Sequence, residues 1–486
     1  MFAASSVCEG RRCARWMVVW VPCLLAPFLS GPPAEGAEIG AWKKDQADES
    51  YVVDAGRGKW LEMDATGRTF SFEELSRDED EVELIDRGRN IKLRLKPGAG
   101  EISIGGNPYG PWVEGEWVER DTLPEFAQIA PIDHKVRLIY FIAADRQPTN
   151  NYREKIVTLM TFANSMFQYE MGRRGISKRG LVFQTDDNGV PIVHVVRGKH
   201  PAQYYNGAPN YNDQKQLQKV VPEIPRKIGK EEEQLLIVFL ETYDPQPANV
   251  EWAGGIALGG THSADGGLGT FSAWVLQDMF CATNVPDQIR MFQDRTPIPG
   301  RKAMGHGQMN SPRSEFIEDG FGAVIHEVGH ALGLYHDLRD ADHYIMGGGF
   351  RRLNVNLSRS TPAHRRVRFS DANALFLANS RLLNPNVDIT DNSPPKVEVN
   401  IKPSRRPFVY HVQVKATDDK GLKGVIFFDD HLSSVADGGE LKGKEDTVEI
   451  LLPLKPNEAK KSVRVNVKVI DQGGNIVDTV KEVPAF

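Results

Sequence analysis

Phe321-Gly-Ala-Val-Ile-His326-Glu327-Val-Gly-His330-Ala-Leu-Gly333-Leu-Tyr-His336-Asp337 decides how the rest of the 486-residue chain is read. On a helix, residues four apart share a face, so His326 and His330 bring two imidazoles to one metal ion. Glu327 is offset enough to face a water on that ion. Gly333 is free to take positive φ, which ends the helix and turns the chain so that His336 returns as a third ligand. Three neutral imidazoles with an open fourth position describe a catalytic zinc site rather than a closed structural one. The alternative is an ordinary helix that happens to carry histidines. With 12 His and 45 Gly in the chain, the five specified positions coincide by chance in about one chain in ten thousand.

His326-Glu-Val-Gly-His330-Ala-Leu-Gly333-Leu-Tyr-His336 resembles the HExxHxxGxxH signature of the metzincin zinc endopeptidases. Tyr344-Ile-Met346 is placed like the Met-turn of that clan. The resemblance covers 131–390 and is strongest over 320–350. It implies that His326, His330 and His336 are zinc ligands, Glu327 the general base and Met346 a structural residue under the metal. The Val-Gly-His-Ala-Leu-Gly-Leu core is similar to the matrixins. Asp337 is similar to the adamalysins, where an acid in that place is a buried hydrogen-bond acceptor. Gly348 stands where astacin-like members present a tyrosine ligand, and no cysteine lies between 24 and 280 to act as a matrixin-like switch. The clan binds peptide along an edge strand, for which 269–276 is the candidate, an internal strand being the alternative. By the same resemblance Phe350, after the Met-turn, lines the side-chain pocket.

Composition bounds the remainder. With 40% hydrophobic residues, 26% charged residues and net charge −6, the chain is a globular protein without an overall basic field for nucleic acid. Of its four cysteines, Cys8, Cys13 and Cys23 fall near the start. Arg11, Arg12 and Arg15 precede an apolar run broken by Pro22 and Pro27, with Ala34 and Ala37 beyond, so residues 1–37 read as a secretory signal peptide. Its removal leaves Cys281 alone, no internal disulfide and no transmembrane span in the mature chain, which is then extracellular or periplasmic.

Three regions follow the leader. Residues 38–130 alternate apolar and polar positions as a small β-rich region, with a pro-segment as one reading of its role. Residues 131–390 read as an α+β, α/β-like catalytic domain with a twisted, mostly parallel sheet and a zinc helix. In it 136–143, 181–183, 192–196 and 235–240 are strand candidates, 149–172 is helical, and the glycine-rich 254–269 reads as flexible loops beside an edge strand. Residues 391–486 carry six or seven short strands, an Ig-like or cadherin-like β-sandwich. Asp418, Asp419 and Asp471 read as turn residues, with calcium ligation as the alternative, His194 as a sheet residue, His306 and His343 as loop residues. Structural Ca2+ is a second reading for His262 with Asp265, and for Asp337 with Asp340 and Asp342.

The function expected is a secreted zinc-dependent endopeptidase acting on a protein or peptide, with cell-surface or matrix contact through the C-terminal domain as a further reading. The alternatives are a catalytically idle metzincin-like binding protein and a zinc hydrolase of a non-peptide amide.

Overall fold

The computed structural model describes residues 40–46, 49–78, 80–176, 179–206, 214–243, 257–304, 307–456 and 462–485. The leader, His306 and 254–256 of the glycine-rich stretch lie outside the described residues. Among those described, no helix is long and apolar enough to cross a membrane.

The first nine strands are β1 (Ala41–Lys44), β2 (Ser50–Gly56), β3 (Lys59–Asp64), β4 (Thr69–Arg77), β5 (Val82–Asp86), β6 (Ile91–Lys96), β7 (Ala99–Ile104), β8 (Gly110–Val113) and β9 (Gly115–Val118). They form one sheet in the order β8-β7-β6-β5-β4-β3-β2-β1-β9. Strand periodicity sorts its side chains to two faces. Trp42, Val52, Trp60, Phe72, Leu84 and Leu93 make one core, while Tyr51, Val53, Leu61 and Met63 pack on Leu123, Ala127, Ile129 and Ile132 on the other. The acidic residues Asp78, Asp80 and Glu81 lie between β4 and β5.

The central sheet contains β10 (Val136–Ile142), β11 (Val193–Arg197), β12 (Leu235–Glu241), β13 (Ala257–His262) and β14 (Gly267–Ser272), in the order β11-β10-β12-β14-β13. Every pairing is parallel except β13 on β14. Residues 181–183 are not a strand. They contribute only an isolated bridge, Phe183 to Val136, because Pro191 and the polar turn around Gly189 break any longer ladder. The helices are α1 (Tyr152–Arg173), α2 (Ala202–Asn206), α3 (Gln214–Val220), α4 (Val285–Phe292), α5 (Arg313–Ala331), α6 (Asn354–Leu357) and α7 (Asp371–Ala378).

β10 and β12 are buried at all their positions, Arg137 and Glu241 included, as a mainly apolar run requires of a strand covered on both sides. Leu138, Tyr140, Ile237 and Phe239 face α1 and α5. Ile139, Phe141, Leu236 and Val238 face the other way, against Tyr205, Val220 and Ile224.

The edge strand expected over 269–276 belongs elsewhere. β14 is internal, residues Ala273–Leu276 form a 3-10 turn, and β13 is the edge. Of the described glycines, Gly260 and Gly267 are strand glycines and not loop glycines. A Cβ at Gly267 would collide with the Ala331 carbonyl oxygen, and one at Gly260 would lie 2.7 Å from Leu268 O and 3.5 Å from Ala331 N. They are glycines because the β13–β14 hairpin lies backbone-to-backbone on the end of α5.

Among the described residues seven strands follow: β15 (Lys396–Pro403), β16 (Val409–Thr417), β17 (Leu422–Asp429), β18 (Ser434–Glu440), β19 (Glu445–Pro453), β20 (Ser462–Asp471) and β21 (Ile476–Pro484). They form a three-stranded sheet, β15-β16-β19, and a four-stranded one, β18-β17-β20-β21, enclosing Val412, Val414, Val425, Phe427, Val465 and Val467. The four-stranded sheet is covered on its other face as well. Ile426, Val435 and Ile470 join the core around α5 and α7, and Gly438 admits Ala372 so closely that a Cβ would lie 2.8 Å from it.

A buried charge cluster links three parts of the chain. Asp265 accepts from Lys59 Nζ at 2.6 Å, Arg381 Nη1 at 2.9 Å and His134 Nε2 at 3.1 Å. Burial alone would raise the Asp265 pKa, but these three donors outweigh it and hold the carboxyl well below the usual carboxylate range. The cluster consumes Asp265, so the His262–Asp265 pair is not a calcium site. Asp337 pairs with Arg339, Asp340 with Arg368 and Asp342 with Arg352, so that trio does not converge either. Replacing Asp265 by Ala strands Arg381 without its carboxylate and should lower unfolding stability by roughly 3–5 kcal/mol. Chemical denaturation checks this, and an unchanged midpoint would show that the cluster does not hold the parts together.

Candidate metal centre

Helix α5 is buried over nearly its whole length, and its end is set by glycine. Gly333 takes φ +85. The Gly333 N–H donates to His330 O at 2.9 Å and the Leu334 N–H to Gly329 O at 2.9 Å, closing the helix in the Schellman pattern and sending the chain back toward His336.

The three histidines meet. Their Nε2 atoms are 3.2 Å apart for His326 and His330, 3.1 Å for His330 and His336, and 3.1 Å for His336 and His326. A tetrahedral ion with bonds of about 2.0–2.1 Å places its nitrogen ligands roughly 3.3 Å apart, so this triangle has the size of one face of a zinc polyhedron. His326 Nδ1 lies 2.7 Å from Ile345 O, and His330 Nδ1 lies 2.8 Å from Leu334 O. A carbonyl only accepts, so each Nδ1 carries the proton and each Nε2 presents a lone pair. Burial pushes the His326 pKa well down and the His330 pKa down to about 4, which keeps both rings neutral. Two neutral acceptors held 3.2 Å apart repel unless a cation lies between them. The donor set therefore fits Zn2+.

Glu327 is 7% exposed and its carboxylate has no hydrogen-bond partner among the described residues. Burial raises its pKa to about 7. It lies with His330 and His336 in a cleft of about 960 Å³ whose far wall includes Leu258, Gly259 and Gly260 of β13. Met346 is fully buried beneath α5, where a Cβ on Gly329 would come within 2.5 Å of its Sδ. Its carbonyl accepts from the Asp337 N–H at 2.8 Å. Asp337 is fully buried and accepts from Arg339 Nε at 2.9 Å and Nη2 at 2.6 Å. Phe350 does not line the cleft. It is 9% exposed, its ring centroid 5.0 Å from that of His326, because Gly322 leaves room for its backbone against α5. His343 bonds Asp340 at 2.8 Å, and His194 bonds Gln184 at 2.7 Å, both away from the triad. None of the described residues of 40–130 lines the cleft.

Sequence reasoning missed the contribution of the C-terminal sheets. The Val435 N–H donates to His336 O at 2.7 Å, and the Leu338 N–H to Ser434 Oγ at 2.8 Å. Fully buried Lys468 donates from Nζ to Gly333 O at 2.7 Å and lies 4.0 Å from the Tyr335 ring centroid. The Tyr335 hydroxyl donates to Asp478. The available signal was a lysine inside the apolar strand Val463-Arg-Val-Asn-Val-Lys468-Val-Ile470, whose partner lies 135 residues away.

Residues 143–382 match the family model Metallopep, described as "Putative peptidase family". The match supports a metallopeptidase activity for this part of the chain. No curated protein matches the sequence. Among solved structures, catalytically inactive OgpA from Akkermansia muciniphila, in complex with an O-glycopeptide (glycodrosocin) substrate, is 14% identical with a TM-score of 0.46, covering 72% of this chain and 92% of that one. Wild-type OgpA from the same organism, in two crystal forms, is 14% and 15% identical with TM-scores of 0.46 and 0.45. It covers 72% of this chain in both cases, and 93% and 92% of its own.

Lys468→Met removes the donor that anchors the turn between the second and third histidines. Metal affinity should fall about tenfold or more, as for other partners that orient ligands from behind. Competition with a calibrated chelator measures it, and unchanged affinity would mean the sandwich does not hold the turn.

Proposed function

We propose that this chain is a secreted zinc-dependent endopeptidase of metzincin type. The leader 1–37 is removed on export, 38–130 is a β-rich N-terminal region, 131–390 is the catalytic domain and 391–486 is an Ig-like sandwich. The observation that carries the reading is the triangle of Nε2 atoms, 3.1–3.2 Å on each side, with unpartnered Glu327 beside it in a cleft walled by an edge strand.

His326, His330 and His336 would hold the zinc. When bound, the ion supplies Lewis acidity, lowering the pKa of a water to about 7 and polarising a scissile carbonyl. Glu327 takes the proton of the attacking water on its carboxylate and returns it to the departing amine nitrogen. A carboxyl group whose pKa burial has already raised is suited to both steps. β13 presents its free edge to the cleft, so an extended peptide adds to it as a further antiparallel strand. This replaces 269–276 as the substrate-binding edge. Met346 supports α5 from below, and Asp337 with Arg339 closes the loop that follows His336.

Glu327→Gln should retain one zinc per chain while kcat/KM on a denatured protein substrate falls by about 10²–10⁴-fold. Retained cleavage would remove Glu327 from the mechanism. A wild type that cleaves no polypeptide when zinc-replete would favour an idle binding protein or a hydrolase of another amide. Chelation should abolish cleavage, and stoichiometric Zn2+ should restore it while Mg2+ and Ca2+ do not. Activity that survives metal removal, confirmed by elemental analysis, would overturn the assignment.

A further inference from the structure

A second convergence of ligand-type side chains lies outside the triad. Asp391, from the segment between α7 and β15, Asp418, from the β16–β17 loop, and Asp471, at the end of β20, each offer a carboxylate oxygen within 4.8 Å of the other two. The three are separated in sequence and no element places any two of them together, so only the packing of the sandwich against the chain that precedes it brings them to one point.

A group of acids alone is not a site. Here one of them is stranded. Asp391 is 2% exposed, and its Oδ2 is buried with no hydrogen-bond partner. The buried Asp418 Oδ2 likewise has none. Asp471 is fully buried. Burying an ionised carboxylate without a partner costs several kcal/mol, and among the described residues no Lys or Arg forms an ion pair with any of the three. The nearest guanidinium, Arg381, spends its donors on Gly473 O, Asp391 O, Asn475 Oδ1 and Asp265, and so faces the backbone of Asp391 and not its carboxylate.

The remaining oxygens are already committed. Asp391 Oδ1 accepts from Ser393 N–H at 3.2 Å, Asp418 Oδ1 from Gly421 N–H at 2.6 Å and Lys420 N–H at 2.8 Å, and Asp471 Oδ1 from Asn475 N–H at 2.8 Å. Asp471 Oδ2 also accepts from Asn475 Nδ2 at 2.9 Å. Gly473 is pressed on the Asp391 carboxylate so closely that a Cβ would lie 2.7 Å from Oδ2. The mutual repulsion of the acids, added to burial, raises the Asp471 pKa to about 6 and raises that of Asp391 as well.

We propose that Asp391, Asp418 and Asp471 bind one Ca2+ ion. The donors are all oxygen, and an O–O limit of 4.8 Å is about twice a Ca–O bond of roughly 2.4 Å. Three hard carboxylates suit calcium over zinc, which favours nitrogen and sulfur, and over magnesium, which dehydrates reluctantly and keeps several of its waters. Waters complete the coordination. The ion fixes the end of β20, three residues from Lys468, and ties it to the segment leaving the catalytic region. It takes up the calcium alternative for Asp418 and Asp471; Asp419 is not part of the site.

The test uses the full chain, stripped on chelating resin and reloaded with one zinc equivalent. Calorimetric titration with CaCl2 should show one Ca2+ per chain, and Ca2+ at about a hundredfold its Kd should raise the unfolding midpoint by several degrees. Equimolar Mg2+ should do neither. Asp391→Asn and Asp418→Asn remove a charge without changing shape and should each abolish the calcium-dependent increment, whatever they do to the midpoint without calcium. The absence of binding and of any shift in the wild type at millimolar Ca2+ would overturn the proposal, as would an increment that persists in both variants. Should a variant fail to fold, the wild-type stoichiometry and the Ca2+/Mg2+ contrast decide alone.

Discussion

Two imidazole nitrogens that both lack a proton and stand 3.2 Å apart need a cation, and much of the molecule is arranged to keep them there. The protons are forced to the other side of each ring by the carbonyls of Ile345 and Leu334. Leu334 is positioned by the glycine-terminated end of α5. Ile345 is positioned by a turn whose N–H donates to Arg368 O at 2.9 Å, and whose next residue, Met346, fills the space that Gly329 leaves under the helix. Removing the side chain at 329 and adding it at 346 is thus one packing decision. It brings the turn close enough to fix a tautomer.

The third nitrogen depends on a different part of the chain. His336 follows a helix terminus and has no helical partner of its own, so its backbone is held by β18 through Val435 and, three residues earlier, by β20 through Lys468 and Gly333. The four-stranded sheet can do this because α5 and α7 cover part of its second face, at Ile426, Val435 and Ile470. Alternation along β20 sends Val465, Val467 and Val469 into the sandwich and Lys468 and Ile470 toward α5 and α7. The sandwich is accordingly a wall of the cleft as well as a module with its own core. A buried lysine there is tolerable because its three protons meet a carbonyl, an aromatic face and the neighbourhood of Asp478.

Legibility in the sequence followed the range of the interaction. The histidine-bearing helix α5, its glycine terminator and the positions of the three histidines are local, and their spacing is legible. β10 and β12 were legible because seven consecutive buried positions leave an apolar run that nothing else explains. β18 was not, since Ser434-Val-Ala-Asp-Gly-Gly-Glu440 has two glycines and two acids. Gly438 answers to Ala372 on the helix behind it, not to strand propensity. The edge strand was misplaced for the same reason. Thr270-Phe-Ser-Ala-Trp is the more strand-like segment by composition, but the glycines of β13 mark where backbone meets backbone.

The sequence by itself determined the local chemistry of this protein: which residues could ligate a metal, which helix carries them, and which glycine ends it. Helical periodicity and the φ freedom of glycine act over a few residues and need no partner from elsewhere. The tertiary structure alone decided which strand is the free edge, that Asp265 is a charge partner and not an ion ligand, that Lys468 reaches the turn before His336, and that Asp391, Asp418 and Asp471 meet. Each of these is a contact between segments tens to hundreds of residues apart, and what such a contact requires of any one residue is no more than a donor, an acceptor or the absence of a side chain.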